Sequence, residues 1–137
     1  MTTPLELEGL RGAIDSCEGA LRWATNPQIM DSLPEDARNI FRNGVIQCFE
    51  VAYDECRKAI HKWLRESDIP VRGNLFRDAG SAELLDNVEK WMEFRVARNR
   101  TSHFYSIGFA EQTFGIITDF LPIAKDLLNN LEERGGR

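Results

Sequence analysis

The chain has 137 residues and a mass of 15.7 kDa, a size that predicts one domain over residues 1–137 and leaves no room for a second catalytic one. Seventeen Lys and Arg against 22 Asp and Glu give a formal charge of −5 and a pI near 5.1, which excludes a broad electrostatic surface for duplex DNA or anionic lipid. With 42% hydrophobic and 28% charged residues, the chain can bury a core and lacks the signature of disorder.

Four segments carry the helical period and no period-2 alternation competes with them, so the expected class is all-α. The first helix is expected to open at Thr3-Pro4-Leu5-Glu6, with Thr3 as N-cap and Pro4 at the first helical position. Its apolar stripe is Leu7, Leu10, Ile14, Cys17, Leu21 and Ala24, and Asn26-Pro27 stops it. Ser32-Leu33-Pro34-Glu35 then offers a capping box for a long helix reaching about Glu66, with Ala37, Phe41, Val45, Cys48, Ala52, Cys56, Ala59, Ile60 and Trp63 along its stripe. Thirty-odd residues at 1.5 Å each span roughly 45 to 50 Å, the height of a bundle.

Asp68-Ile69-Pro70 ends that run, and Val71 to Ala79 predicts a short connecting helix. A further helix is expected from Ala82 to about Thr101, burying Leu85, Val88, Trp91, Met92 and Val96. The last, from Ser106 or Phe109 to Glu133, repeats Ala110, Phe114, Ile117, Leu121, Ala124, Leu128 and Leu131. Pro122 lies inside it and predicts a kink or a carbonyl without its donor at Thr118. Gly135-Gly136-Arg137 reads as a frayed tail beyond a core of about residues 5–133. Short connections favour antiparallel neighbours, hence an up-and-down four-helix bundle with an additional short connecting helix.

Cys17, Cys48 and Cys56 are odd in number and have neither close-spaced partners nor clustered His, which predicts reduced thiols in a cytoplasmic protein and no zinc site. The acidic first twenty residues and the want of any run of eighteen apolar residues argue against a secretory signal and a membrane span. His61 reads as a surface residue, Cys56 as a small core residue, and Trp23, Trp63 and Trp91 as core or interface.

The stretch from Arg95 to Ser106 differs from everything else. It holds three arginines, one of the two histidines and no acid, so that nine residues from Arg95 to His103 carry +3 and the remainder −8. Arginines near a helix C-terminus are favourable without any function, which accounts for Arg95 and Arg100. The fuller string adds Arg98, Asn99, Ser102, His103 and Tyr105: a fixed cation, an amide, a hydroxyl, an imidazole and a phenol within eight residues. On an ideal helix Asn99 shares a face with His103 and Arg98 with Ser102, while Arg98 and His103 stand about 140° apart. Either the helix loosens near Thr101, or the pair lines a groove that another surface completes.

At this string, RNRTSHFY from Arg98 to Tyr105, the sequence resembles the small HEPN proteins known as nucleotidyltransferase substrate-binding proteins. Their hallmark is Arg, four residues, His, with Asn after the Arg and Tyr two residues past the His. Val45-Ile46-Gln47-Cys48-Phe49-Glu50, Lys58, Leu75-Phe76-Arg77-Asp78-Ala79 and Trp91-Met92 resemble further blocks in family order, so the likeness covers about residues 5 to 130. The sequence departs at Arg57, where the family usually has Trp, at Asp54, where it has Glu, and over Ser81 to Leu85.

The resemblance implies a homodimer that brings two Arg98/His103 pairs into one cleft, and a separate cognate minimal nucleotidyltransferase as partner in a toxin and antitoxin module. It implies a metal-independent endoribonuclease without cofactor, in which His103 moves a proton and Arg98 neutralises phosphorane-like charge. Asn99, Ser102 and Glu50 would support the pair, and Tyr105 would be the residue that the partner adenylylates. The rival readings are a non-catalytic nucleotide-binding or substrate-binding subunit of a two-component nucleotidyltransferase, and a scaffold without chemistry.

Overall fold

In the computed structural model, residues 5–101 and 107–137 are described, and they form six helices with no strand among them. The helices are α1 (Glu8–Ala24), α2 (Pro27–Asp31), α3 (Glu35–Glu66), α4 (Leu75–Ser81), α5 (Val88–Arg100) and α6 (Ile107–Glu133). Their directions follow from side-chain pairs. Arg11 and Glu18 of α1 meet Glu132 and Lys125 of α6, and Gly9 and Cys17 of α1 lie by Glu55 and Cys48 of α3. Lys90 and Trp91 of α5 meet Asp119 and Phe120 of α6, whereas Arg100 at its other end shares a groove with Phe109. Each pairing runs in opposite senses, so α1, α3, α5 and α6 make an up-and-down bundle, with α2 and α4 as connecting turns of helix.

The core between these helices is rich in aromatic rings. Phe120 of α6 packs edge-on to Phe49 of α3 and to Trp91 and Phe94 of α5, with centroids 5.1, 6.1 and 5.3 Å away. Phe76 of α4 stacks on Trp91 at 5.6 Å and also contacts Tyr53. Such pairs contribute about 0.5–1.5 kcal/mol each beyond their area burial, and their preferred geometries fix how far one helix slides along the next. The α3–α5 register, on which the site depends, is set here.

Several helix boundaries differ from the sequence expectation. Thr3 and Pro4 lie outside the described residues, and α1 starts at Glu8 without a side-chain cap because Leu5 and Leu7 are buried in the chain leading into it. Asn26-Pro27 ends α1 and also opens α2: the Asn26 side chain accepts from the Gln28 amide. Ser32 therefore does not cap α3. Its hydroxyl donates back to the Ile29 carbonyl at 2.7 Å, and Pro34 occupies the N-cap position of α3. Likewise α5 begins at Val88 with Asn87 as its cap, because Leu84 and Leu85 leave the helical path to bury themselves under it. Trp91, Phe94 and Ala97 face the core, whereas Val96, expected on the buried stripe, lies 49% exposed. On α3 the buried set also includes Ile46, Phe49, Tyr53 and Leu64, while Phe41 stays exposed.

The tail is not frayed. The Arg137 amide donates to the Leu5 carbonyl at 2.7 Å and the Leu7 amide to the Arg137 carbonyl at 2.8 Å, tying both ends of the described chain together. Gly135, at φ 93°, permits this turn: its amide reaches the Glu132 carbonyl and that of Gly136 the Leu131 carbonyl, the paired bonds of a Schellman motif. The same motif closes α3 and α4, with Asp68 (φ 58°) and Glu83 (φ 63°) in the left-handed position. Through Pro122 the helix α6 continues; the proline is exposed, so water can reach the Thr118 carbonyl that lacks a donor.

Candidate functional site

Arg98 sits on the last turn of α5, one turn beyond Phe94, and Glu50 and Asp54 sit one turn apart on α3, each following a ring of the core, Phe49 and Tyr53. Since adjacent helix residues point about 100° apart, burying those rings turns both carboxylates toward α5. Arg98 Nε and Nη2 donate to the two oxygens of Asp54, each at 3.2 Å, and Nη1 donates to Glu50 Oε2 at 2.9 Å. This fork is the bidentate geometry that guanidinium makes with carboxylate. The Asp54 bonds hold the Arg98 pKa above its already high ordinary value, with the charges of Asp54 and Glu50 adding to them.

Thr101 closes the arrangement. It is wholly buried at the C-cap of α5, its hydroxyl donates to the Arg98 carbonyl at 2.7 Å, and Arg98 Nη1 reaches the same hydroxyl at 3.4 Å. The end of α5, at Arg100 with Thr101 as its C-cap, is thus pinned from two sides. Two carboxylates around one guanidinium leave the cluster with a formal charge of −1. Of the five guanidinium N–H groups, at most one on Nη2 remains uncommitted, so in this arrangement Arg98 is an anchor with little capacity left for an external anion.

The structure therefore brings Arg98 and Glu50 together. Ser102, His103 and Tyr105 lie outside the described residues, and Asn99 is on the exposed side of α5. Asp54 and Thr101 belong to the site although sequence reasoning assigned them no role. The signal for Asp54 was present as an acid at i+4 from Glu50, beside a core aromatic, but nothing local says that it faces an arginine 44 residues away.

Two concave features flank the cluster. Beyond it, α5 and α6 border an apolar groove of about 450 Å³ in which Met92, Val96, Phe109 and Ile116 lie between Glu93 and Arg100. Toward the start of α5, a smaller cavity of about 220 Å³ is lined by Arg57, His61, Arg95, Tyr53 and the chain before α4. The three cysteines are free, and burial pushes Cys17 up to about 12, with Cys48 and Glu18 adding to it; burial pushes Cys56 up as well. Among the described residues no three His, Cys, Asp or Glu side chains gather as a metal-binding set, and no helix is long and apolar enough to cross a membrane.

Residues 5–133 match the family model described as nucleotidyltransferase substrate binding protein like. A Haemophilus influenzae protein described as a probable ribonuclease HepT is 30% identical over 141 residues, covering 98% of this chain and 97% of that protein. A solved Haemophilus influenzae structure, described as revealing the fold of a substrate binding domain of a nucleotidyltransferase, superposes with a TM-score of 0.85 at 28% identity, covering 93% of this chain and 99% of the other.

Proposed function

Because the chain belongs to the nucleotidyltransferase substrate-binding-protein family of HEPN type, we propose that it is an endoribonuclease that works with a separate minimal nucleotidyltransferase. The observation that carries the reading is the clamp on Arg98. It fixes the end of α5 immediately before Ser102 and His103, which is where a reacting imidazole needs a rigid mount. In the reaction, His103 takes the proton of an RNA 2′-hydroxyl, the 2′-oxygen forms a bond to phosphorus, and the bond to the 5′-oxygen breaks, the leaving oxygen receiving a proton. The remaining Nη2 hydrogen of Arg98 is the donor available for charge that builds on the phosphoryl oxygens. A second protomer would supply the facing Arg98/His103 pair, and adenylylation of Tyr105 by the partner would place a bulky anion beside them and restrain cleavage.

The test is cleavage of RNA by the purified protein in the presence of a chelator. His103→Ala is expected to abolish cleavage with the melting temperature unchanged, and retained cleavage in that variant would remove the mechanism. A second reading, a non-catalytic subunit that holds a nucleotide or substrate for the nucleotidyltransferase, is favoured by how little of Arg98 is free. It predicts nucleotide binding without RNA cleavage, and a partner whose activity depends on this chain. Co-expression followed by mass spectrometry checks Tyr105: no adenylyl mass with an active partner refutes that role.

A further inference from the structure

The small cavity one turn back along α5 differs from the Arg98 cluster in one respect that matters. Arg57 and His61, one turn apart on α3, face Arg95 of α5 across it, and no carboxylate lines it. None of the three takes part in an ion pair among the described residues, although the chain carries −5 overall and its other α5 arginine at this face, Arg98, has two acids to itself. The nearby acids are already engaged: Asp54 by Arg98, and Asp78 by the Arg72 amide at 2.9 Å. Gathering the Arg57 and Arg95 guanidinium groups without a counter-charge is unfavourable, and a bound anion relieves it.

The lining also selects the kind of anion. At about 220 Å³ the cavity is below the 300–1,000 Å³ usual for a whole small-molecule ligand, so it suits a phosphate group better than a nucleoside. Tyr53 and Phe76 are 4% and 2% exposed and locked in the aromatic core, so neither offers a ring face on which a base could stack. Burial pushes the Tyr53 phenol up to about 12, against the pull of Arg95 and Arg57, which keeps it protonated and able to donate. Asn74 is committed to capping α4. The recognition that remains is cationic and sequence-blind.

Resting on the ribonuclease reading above, we propose that Arg57, His61 and Arg95 form a phosphate-binding subsite that holds a backbone phosphodiester of the RNA strand, next to the one cleaved at the Arg98 end of α5. Arg95 and Arg98 are three residues apart, about 4.5 Å along the helix axis, so a strand following the α3–α5 seam meets them in succession. The subsite supplies position and affinity, and the segment after Arg98 supplies the chemistry.

The test measures binding of a short fluorescent 2′-O-methyl RNA strand, whose nucleophile is blocked, to the full chain at several salt concentrations. R57Q/R95Q, both exposed positions, is expected to keep the wild-type melting temperature and bind about tenfold more weakly. Its slope of log affinity against log salt is expected to be shallower by about 0.7 for each phosphate that the variant no longer neutralises. K62Q, which removes a charge from the same helix outside the cavity, is expected to bind as the wild type does. Unchanged affinity and slope in R57Q/R95Q, with cleavage of ordinary RNA intact in the wild type, would overturn the subsite alone. Equal weakening by K62Q would overturn it too, by reducing it to general surface charge. A wild-type chain that neither binds nor cleaves RNA would overturn the ribonuclease reading and the subsite with it.

Discussion

Replacing Arg98 by Ala is expected to do two separable things. The first is structural: Glu50 and Asp54, one turn apart on α3, lose their shared counter-ion and face each other as like charges. Hydrogen bonds to charged groups contribute about 1.5–3 kcal/mol when buried. Here the side chains of Arg98, Glu50 and Asp54 are 26%, 20% and 39% exposed, so solvent screening reduces each link and most strongly that to Asp54. Taking about 1 kcal/mol from each carboxylate, Arg98→Ala should cost about 2 kcal/mol, or roughly 6–10 °C in melting temperature for a chain of this size. The second effect is the loss of RNA cleavage. The triple variant R98A/E50Q/D54N removes the stranded charges along with the arginine, and it should recover most of the stability while remaining inactive. Thermal unfolding followed by circular dichroism, run beside the cleavage assay, reads both. An R98A melting point within about 2 °C of the wild type would refute the anchoring account, and a triple variant that recovers activity with its stability would show that Arg98 serves the fold only.

Other expectations follow from the burial of titratable groups and from backbone geometry. The folded state raises the pKa of Tyr53 from 10.0 and of Cys17 from 9.0, both to about 12, and raises Cys56 as well, so it favours their protonated forms. Their contribution is fully present below pH 9 and is lost as pH rises toward 12, which urea unfolding at stepwise alkaline pH should show; stability level across that window would contradict it. Gly136→Ala would bring a Cβ to 2.6 Å from Leu7 Cδ1 and 2.9 Å from the Leu131 carbonyl, so it should cost about 1–3 kcal/mol, and a variant that melts with the wild type would show that the tail docking contributes nothing. Asp68→Gly relieves a left-handed residue at a helix end and should stabilise by about 0.5–1 kcal/mol, measured by the urea midpoint; a lowered midpoint would mean that the aspartate side chain makes up for its backbone cost.

The helical class, the existence of α3 and α6, and the end of α3 at Glu66 were legible in the sequence, because apolar spacing and helix breakers act within a few residues of themselves. The Arg98 to Tyr105 string was legible for the same reason, as a local concentration of charge and chemistry. Where sequence reading failed, distant residues had outweighed local preference. Ser32 has the form of a helix cap and yet serves a short helix behind it, and Leu84 and Leu85 leave the helix that their neighbours would continue, because the core beneath α5 takes them in. Residues 135 to 137 read as a loose end until Leu5 and Leu7 offer them backbone partners.

At the site the division is sharper. Sequence alone identified a cation at a helix end, and tertiary structure decided what surrounds it. The aromatic cluster of Phe49, Phe94, Trp91 and Phe120 sets how α3 lies along α5, and that register delivers two carboxylates to Arg98 and none to Arg57, His61 or Arg95. Which arginine is neutralised and which stays open to an anion depends on pairings between residues 38 to 48 positions apart. Hydrophobic periodicity specifies which face of a helix turns inward, but only side-chain packing between helices chooses the partner at each turn.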